Sequence, residues 1–201
     1  NTVMFYERCF VLVEGRTEDN ALPILYHKTY GHSLLEDGIR PINVKGNGAL
    51  KEFLQLLSRN RQELTIVFVD SDTRDTSEAD LTEETLRTAG FGDEFIRERV
   101  IYVGDQEFED AFSDEAIARC LQEKWPRSSG EWKADDIASL REESKFSRAL
   151  RKAVWENTAE DLPNWSKPIF GRAIAQCCCE DEIPIEVRDL FESARAVADC
   201  D

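Results

Sequence analysis

Several chemistries are thinly supplied in this chain. Histidine occurs only as His27 and His32, and none of the six cysteines stands in CxxC spacing, so a structural zinc site is not expected. Cys177, Cys178 and Cys179 are contiguous within a helical pattern. Successive helical side chains diverge by about 100°, so these three do not share one metal. A chain of 201 residues needs no disulfide staples, and free thiols fit a reducing cytoplasm. No apolar run approaches the roughly 18 residues of a membrane span, and the first residues lack a secretory pattern. No membrane partner is expected. Basic charge is also scarce: 25 Lys and Arg face 41 Asp and Glu, a formal net charge of −16. That is the opposite of the footprint of a free-standing nucleic-acid binder.

The supply of core material is ample. With 41% hydrophobic residues the chain can bury a full core, and its length fits one large domain over 1–201. Opening on Asn1 rather than Met, it reads as a cut-out piece or a processed chain. Cys9–Val13, Ile39–Val44, Leu64–Val69 and Arg99–Val103 read as short buried strands. Helical patterns separate them over Asp19–Tyr30, Ala49–Ser58 and a short stretch ending at Ala89. Pro23 is placed near the first turn, where its missing amide is tolerated. The order βαβαβαβ predicts a four-stranded parallel sheet flanked by helices, an α/β architecture of Rossmann-like type. Past Val103 the strand signals stop. Helices are expected over Phe108–Trp125, from Asp135-Asp136 toward Trp155, over Pro168–Cys179 and over Ile185–Val197, with a Pro163-containing link at Leu162–Trp165. Residues 105–165 read as a helical insertion or flap, and 166–201 as C-terminal helices completing the domain. Trp125, Trp132, Trp155 and Trp165 all fall in this half and are assigned chiefly to packing.

Chemistry concentrates at strand ends. Glu14-Gly15-Arg16-Thr17-Glu18 follows the first strand and Asp70-Ser71-Asp72 follows the third. Ligands of open α/β sheets bind beyond the carboxyl ends of the strands. Carboxylates gathered there repel unless a cation or shared protons offset them. This predicts a magnesium-type centre and phosphate chemistry, on the condition that strands one and three are neighbours. Asp70 and Asp72 face one way if the chain stays extended. Glu18 is also a favourable first-turn acid. A third acidic group, Asp105, Glu107, Glu109 and Asp110, follows the fourth strand. Glu109 and Asp110 are both candidate ligands, Glu109 the favoured one. Lys167 stands beside Pro168 at a helix start, where its charge is unfavourable unless an acidic site or a phosphate lies near. The turn Lys45-Gly46-Asn47-Gly48 lacks both the Walker and the dinucleotide-binding arrangements; it permits a tight entry into the following helix.

Val13-Glu14-Gly15-Arg16-Thr17-Glu18, Lys45-Gly46-Asn47-Gly48, Asp70-Ser71-Asp72, Phe108-Glu109-Asp110-Ala111 and Lys167-Pro168 resemble, in order, the motifs of the Toprim fold family. The closest likeness is to the nuclease domain of the OLD (overcoming lysogenization defect) group, which the late lysine-proline pair favours. Topoisomerases and primases are disfavoured, because Arg74 stands where they carry another acid. The resemblance implies a Toprim/Rossmann-like sheet with a helical C-terminal half. It also implies a metal-dependent nuclease that follows an ABC-type ATPase domain, with DNA cleavage and phage defence as its setting. Homo-oligomerisation through that ATPase domain is part of the expectation. Glu14, Glu18, Asp70, Asp72, the Glu109/Asp110 segment and Lys167 match the group's catalytic positions.

The expected mechanism is two-metal hydrolysis of DNA phosphodiesters with Mg²⁺ or Mn²⁺, the ions hard oxygen ligands prefer. Glu14, Asp70 and Asp72 are assigned to one ion, and Glu18 with Glu109 or Asp110 to the other. Lys167 stabilises charge on the phosphate or orients the attacking water. The acidity predicts weak DNA affinity for this piece alone. RNA cleavage by the same centre is the alternative substrate reading, and a catalytically weak assembly or regulatory module the alternative class.

Overall fold

A computed structural model of the chain describes residues 7–45, 48–76, 79–143, 145–158 and 164–200. Four parallel strands, β1 (Cys9–Val13), β2 (Ile39–Asn43), β3 (Thr65–Asp70) and β4 (Val100–Val103), form one sheet in the order β2-β1-β3-β4. The condition set by the sequence is met: β1 and β3 are hydrogen-bonded neighbours, with Phe10 opposite Thr65 and Val13 opposite Phe68. Glu14 and Asp70 therefore leave adjacent strands at the same edge.

Strand alternation divides the core into two layers. Cys9, Val11, Val13, Ile66 and Phe68 face one side, packed with α1 (Arg16–Tyr30), α8 (Lys167–Cys177) and α9 (Ile185–Ala198). Phe10, Leu12, Val67 and Val69 face the other, against α2 (Leu50–Asn60), α3 (Glu83–Ala89) and α4 (Asp93–Arg99). The first core also takes in Ile117 and Leu121 of α5 (Asp114–Lys124), Ile137 of α6 (Ala134–Arg141) and Leu150 and Val154 of α7 (Phe146–Asn157). The described helices between 105 and 165 thus pack into the same core as their flanks. Among the described residues no helix is long and apolar enough to cross a membrane.

Several boundaries differ from the sequence expectation, each for a local reason. α1 starts at Arg16, so Pro23 lies inside the helix. Pro23 is exposed, and the carbonyl it leaves unbonded can be satisfied by water. α4 escaped notice, although Gly92 as its cap, Asp93 and Glu94 in its first turn and Arg97 and Arg99 in its last suit the helix dipole. The expected helix over Phe108–Trp125 breaks at Ser113, whose side chain accepts from the Ala116 amide and caps α5. Phe108–Ala111 is a separate 3-10 turn. The single helix expected toward Trp155 is two, α6 and α7. The Gly46-Asn47 turn and the link at Leu162-Pro163 lie outside the described residues.

The helix pair α1 and α8 brings Glu18 and Lys167 together, and its closeness depends on Gly171. A Cβ at Gly171 would lie 2.5 Å from Thr17 Cγ2 and 3.2 Å from the Thr17 carbonyl. Gly171→Ala is expected to destabilise the protein by about 1–3 kcal/mol. Thr17→Ser in that background should recover part of the loss, since it removes the methyl but not the carbonyl contact. Urea unfolding of both variants tests this; a neutral Gly171→Ala would contradict it.

Candidate metal centre

At the carboxyl edge of β1 and β3 lies a cleft of about 500 Å³, lined by Glu14, Glu18, Asn43, Lys45, Asp70 and Lys167. Glu14 ends β1 half-buried. Its Oε1 accepts from the Leu81 amide at 2.8 Å and its Oε2 from the Thr73 hydroxyl at 3.4 Å. Glu18, in the first turn of α1, is buried and folds back over Gly15, where a Cβ would come within 2.9 Å of Glu18 Oε2. That oxygen is buried without a hydrogen-bond partner. Asp70, the last residue of β3, accepts from the Phe108 amide at 2.8 Å and turns its other oxygen toward Lys167.

Asp72 does not follow Asp70 along an extended chain. Ser71–Asp75 form a 3-10 turn, so strand alternation does not apply. Asp72 does not line the cleft, and its carboxylate lies 3.2 Å from Lys145 Nζ. The turn is fastened by the Asp72 amide, which donates to the Gln106 carbonyl at 3.0 Å.

The segment after β4 resolves the choice between adjacent acids. Asp110 accepts from the amides of Asp105, Gln106 and Glu107 at 2.7–3.0 Å. It is occupied in shaping its own turn, and only Gly104 fits beneath it, since a Cβ there would lie 2.2 Å from Asp110 Oδ1. Asp110 is therefore not placed as a ligand. Glu109 points inward, fully buried, with neither carboxylate oxygen hydrogen-bonded.

Lys167 occupies the middle of this group. Its ammonium lies 3.1 Å from Glu107 Oε1, 3.2 Å from Glu109 Oε2 and 3.8 Å from Asp70 Oδ2. The Glu109 contact is an ion pair without hydrogen-bond alignment. Burial alone would push Lys167 down, but the charges of Glu109, Asp70 and Glu107 hold it protonated well above the ordinary lysine range. Ser166 caps α8 by accepting from the Ile169 amide. Lys167 is thereby fixed at the first helical position and Pro168 at the second.

Glu107 was passed over in the sequence. It is buried, accepts from the amide and hydroxyl of Ser147 at 3.0 and 2.9 Å, and bonds Lys167. Burial raises its carboxyl, but Lys167 and Ser147 outweigh that and hold it low. Its membership of the third acidic group was the only available signal, because its partners come from α7 and α8.

The other carboxyls carry the strain of crowding. Burial raises Glu14 and Glu18. Asp70 is raised well above the carboxylate range by burial and by the Glu18 charge. Glu109 is pushed up to about 7 by burial, even with Lys167 beside it. Among the described residues no three His, Cys, Asp or Glu side chains converge closely enough to hold a metal as they stand. The donors nevertheless suit a hard divalent cation: they are carboxylates, three of their buried oxygens have no hydrogen-bond partner (one on Glu18, two on Glu109), and the positive charge now among them is a lysine's.

The four-stranded parallel sheet in the order β2-β1-β3-β4 with its flanking helices is a Toprim-like α/β fold, with an acidic cleft at the edge of the central strands. More particularly, residues 5–72 match the family model described as "Overcoming lysogenization defect protein-like, TOPRIM domain". The C-terminal region of the Burkholderia pseudomallei OLD protein superposes with a TM-score of 0.65 at 18% identity, covering 96% of this chain and 100% of that one. A C-terminal region of the Xanthomonas campestris pv. campestris OLD protein gives 0.59 at 18% identity, covering 98% and 96%. At such identities the likeness is one of fold. No curated protein matches.

The raised carboxyls have a measurable consequence. Between about 4.5 and about 7 the folded state keeps a proton on Glu109 that the unfolded chain releases. This contribution to stability is complete below about 4.5 and lost as pH rises through about 7. Glu14, Glu18 and Asp70 act in the same direction. In EDTA, wild-type stability should therefore fall across this window, and Glu109→Gln should flatten the fall. Urea midpoints at successive pH values decide the matter; equal slopes in the two proteins would contradict the assignment.

Proposed function

We propose that this chain is the nuclease domain of an OLD-type protein, a Mg²⁺- or Mn²⁺-dependent endonuclease that hydrolyses DNA phosphodiester bonds in the cytoplasm. The observation that carries this reading is the gathering of Glu14, Glu18, Asp70 and Lys167 on one cleft at the carboxyl ends of neighbouring parallel strands.

Glu14 and Asp70, with Asp72 on the turn that follows β3, would hold one ion; Glu18 and the inward-facing Glu109 would hold the second. The chemistry divalent ions would supply if held by these carboxylates is activation of an attacking water and stabilisation of the leaving oxygen. The protein's own groups set the stage. Gly15, lacking a side chain, leaves room for Glu18 to fold back over it. Asp110 shapes the turn that aims Glu109 inward. Lys167 places a protonated ammonium beside the carboxylates, where it can meet negative charge developing on a phosphate. Glu107, held by Ser147, keeps that ammonium in position.

The net charge of −16 supports a division of labour in which an ABC-type ATPase domain, and dimerisation through it, supplies most of the grip on DNA. Phage defence is the setting this reading proposes. Nicking of supercoiled plasmid in Mg²⁺ and Mn²⁺, with single-stranded RNA in parallel, tests the assignment. Asp70→Asn should lower DNA nicking by about 100-fold or more while preserving the fold by circular dichroism. Undiminished metal-dependent nicking by a folded Asp70→Asn protein would overturn it.

A further inference from the structure

One surface departs from the acidity of the whole. Lys145 caps α7, and the helix continues with Arg148, Arg151 and Lys152 before its one acid, Glu156. No other helix among the described residues carries three Lys or Arg residues. All four cations are exposed, while Phe146, Ala149, Leu150, Ala153 and Val154 turn into the core. The basic stripe is therefore the outer face of an amphipathic helix. Among the described residues only Lys145 of these four cations forms a salt bridge, with Asp72.

Trp155 ends the stripe. Trp125, Trp132 and Trp165 are 5–6% exposed, but Trp155 is 44% exposed, with the Arg151 guanidinium 5.9 Å from its ring. Trp155 thus presents part of its ring to solvent beside the basic stripe. It suits stacking against a base.

The helix is also joined to the cleft. Lys145 touches Asp72, and Ser147 donates twice to Glu107, which bonds Lys167. From that end the twelve residues of α7 extend about 18 Å at 1.5 Å each. That length accommodates a few nucleotides of a single strand. A groove of about 350 Å³ beside the stripe is of mixed charge, lined by Arg148 and Lys152 but also by Asp136, Glu143 and Glu156.

We propose that the exposed face of α7 is a track for a single-stranded stretch of DNA leading to the carboxylate cleft. Arg148, Arg151 and Lys152 neutralise successive phosphates, and Trp155 stacks on an unpaired base. The proposal rests on the nuclease reading only for the identity of the polymer; the track itself is a binding surface and is tested without cleavage.

The test is fluorescence anisotropy of a labelled single-stranded DNA oligonucleotide in EDTA, over a series of salt concentrations. The triple variant Arg148→Gln/Arg151→Gln/Lys152→Gln should bind at least tenfold more weakly, and its slope of log K against log salt should be shallower by about 2. Trp155→Ala should weaken single-strand binding by about fivefold or more and leave the slope unchanged. Lys51→Gln/Arg59→Gln/Arg97→Gln removes the same charge elsewhere and should change affinity far less. Four outcomes would overturn the proposal: no binding by the wild-type chain at low salt, equal loss in the control triple, unchanged affinity in the α7 triple, or equal competition by polyglutamate of matched charge. Plasmid nicking separates the two readings. Binding with this pattern but no nicking removes the nuclease and leaves the track; nicking with a KM unaltered in the α7 triple does the reverse.

Discussion

Everything at the sheet edge depends on how a buried crowd of carboxylates is held without unfolding the protein. Asp70, Glu107 and Glu109 come from β3 and from the turn after β4, and each would be costly to bury charged and alone. Lys167 offsets them with one ammonium, brought from the start of α8. The arrangement is unevenly balanced. Glu107 is fully bonded and held low, whereas Glu109 keeps two unpaired oxygens and is pushed up to about 7. A site so built is short of positive charge, which is the condition in which divalent ions and phosphates exert most leverage.

The remainder of the fold can be understood as the means of delivering that lysine. α8 lies against α1 because Gly171 and Thr17 allow close approach. Ser166 fixes where α8 begins, and α7 reaches across with Ser147 to hold Glu107. The helical half thus supplies the cation, and the support for its position, to a cluster of acids that the sheet gathers. Neither half makes the site alone.

The legible part of this in the sequence was what short-range rules govern. Apolar β-branched runs marked β1 and β3, and the acids following them marked the cleft, given adjacency that the sheet order supplies. Lys167 stood out because its charge opposes the dipole of its own helix. What escaped was set by distant partners or by competing local bonds. Asp72 left the strand direction when Ser71–Asp75 closed into a 3-10 turn. Asp110 was captured by three backbone amides, which adjacency to Glu109 does not reveal. Glu107 takes its role from Ser147 and Lys167, far along the chain. α4 and the break at Ser113 are signalled only by caps and terminal charges, which apolar periodicity does not register.

The most direct measurement is the melting temperature of Lys167→Met in EDTA and in excess Mn²⁺, beside the wild type. If the ammonium offsets the buried carboxylates, the variant melts lower than wild type in EDTA, and Mn²⁺ raises its melting temperature by more than it raises that of the wild type. A variant as stable as wild type without metal, and indifferent to Mn²⁺, would contradict the account at its base.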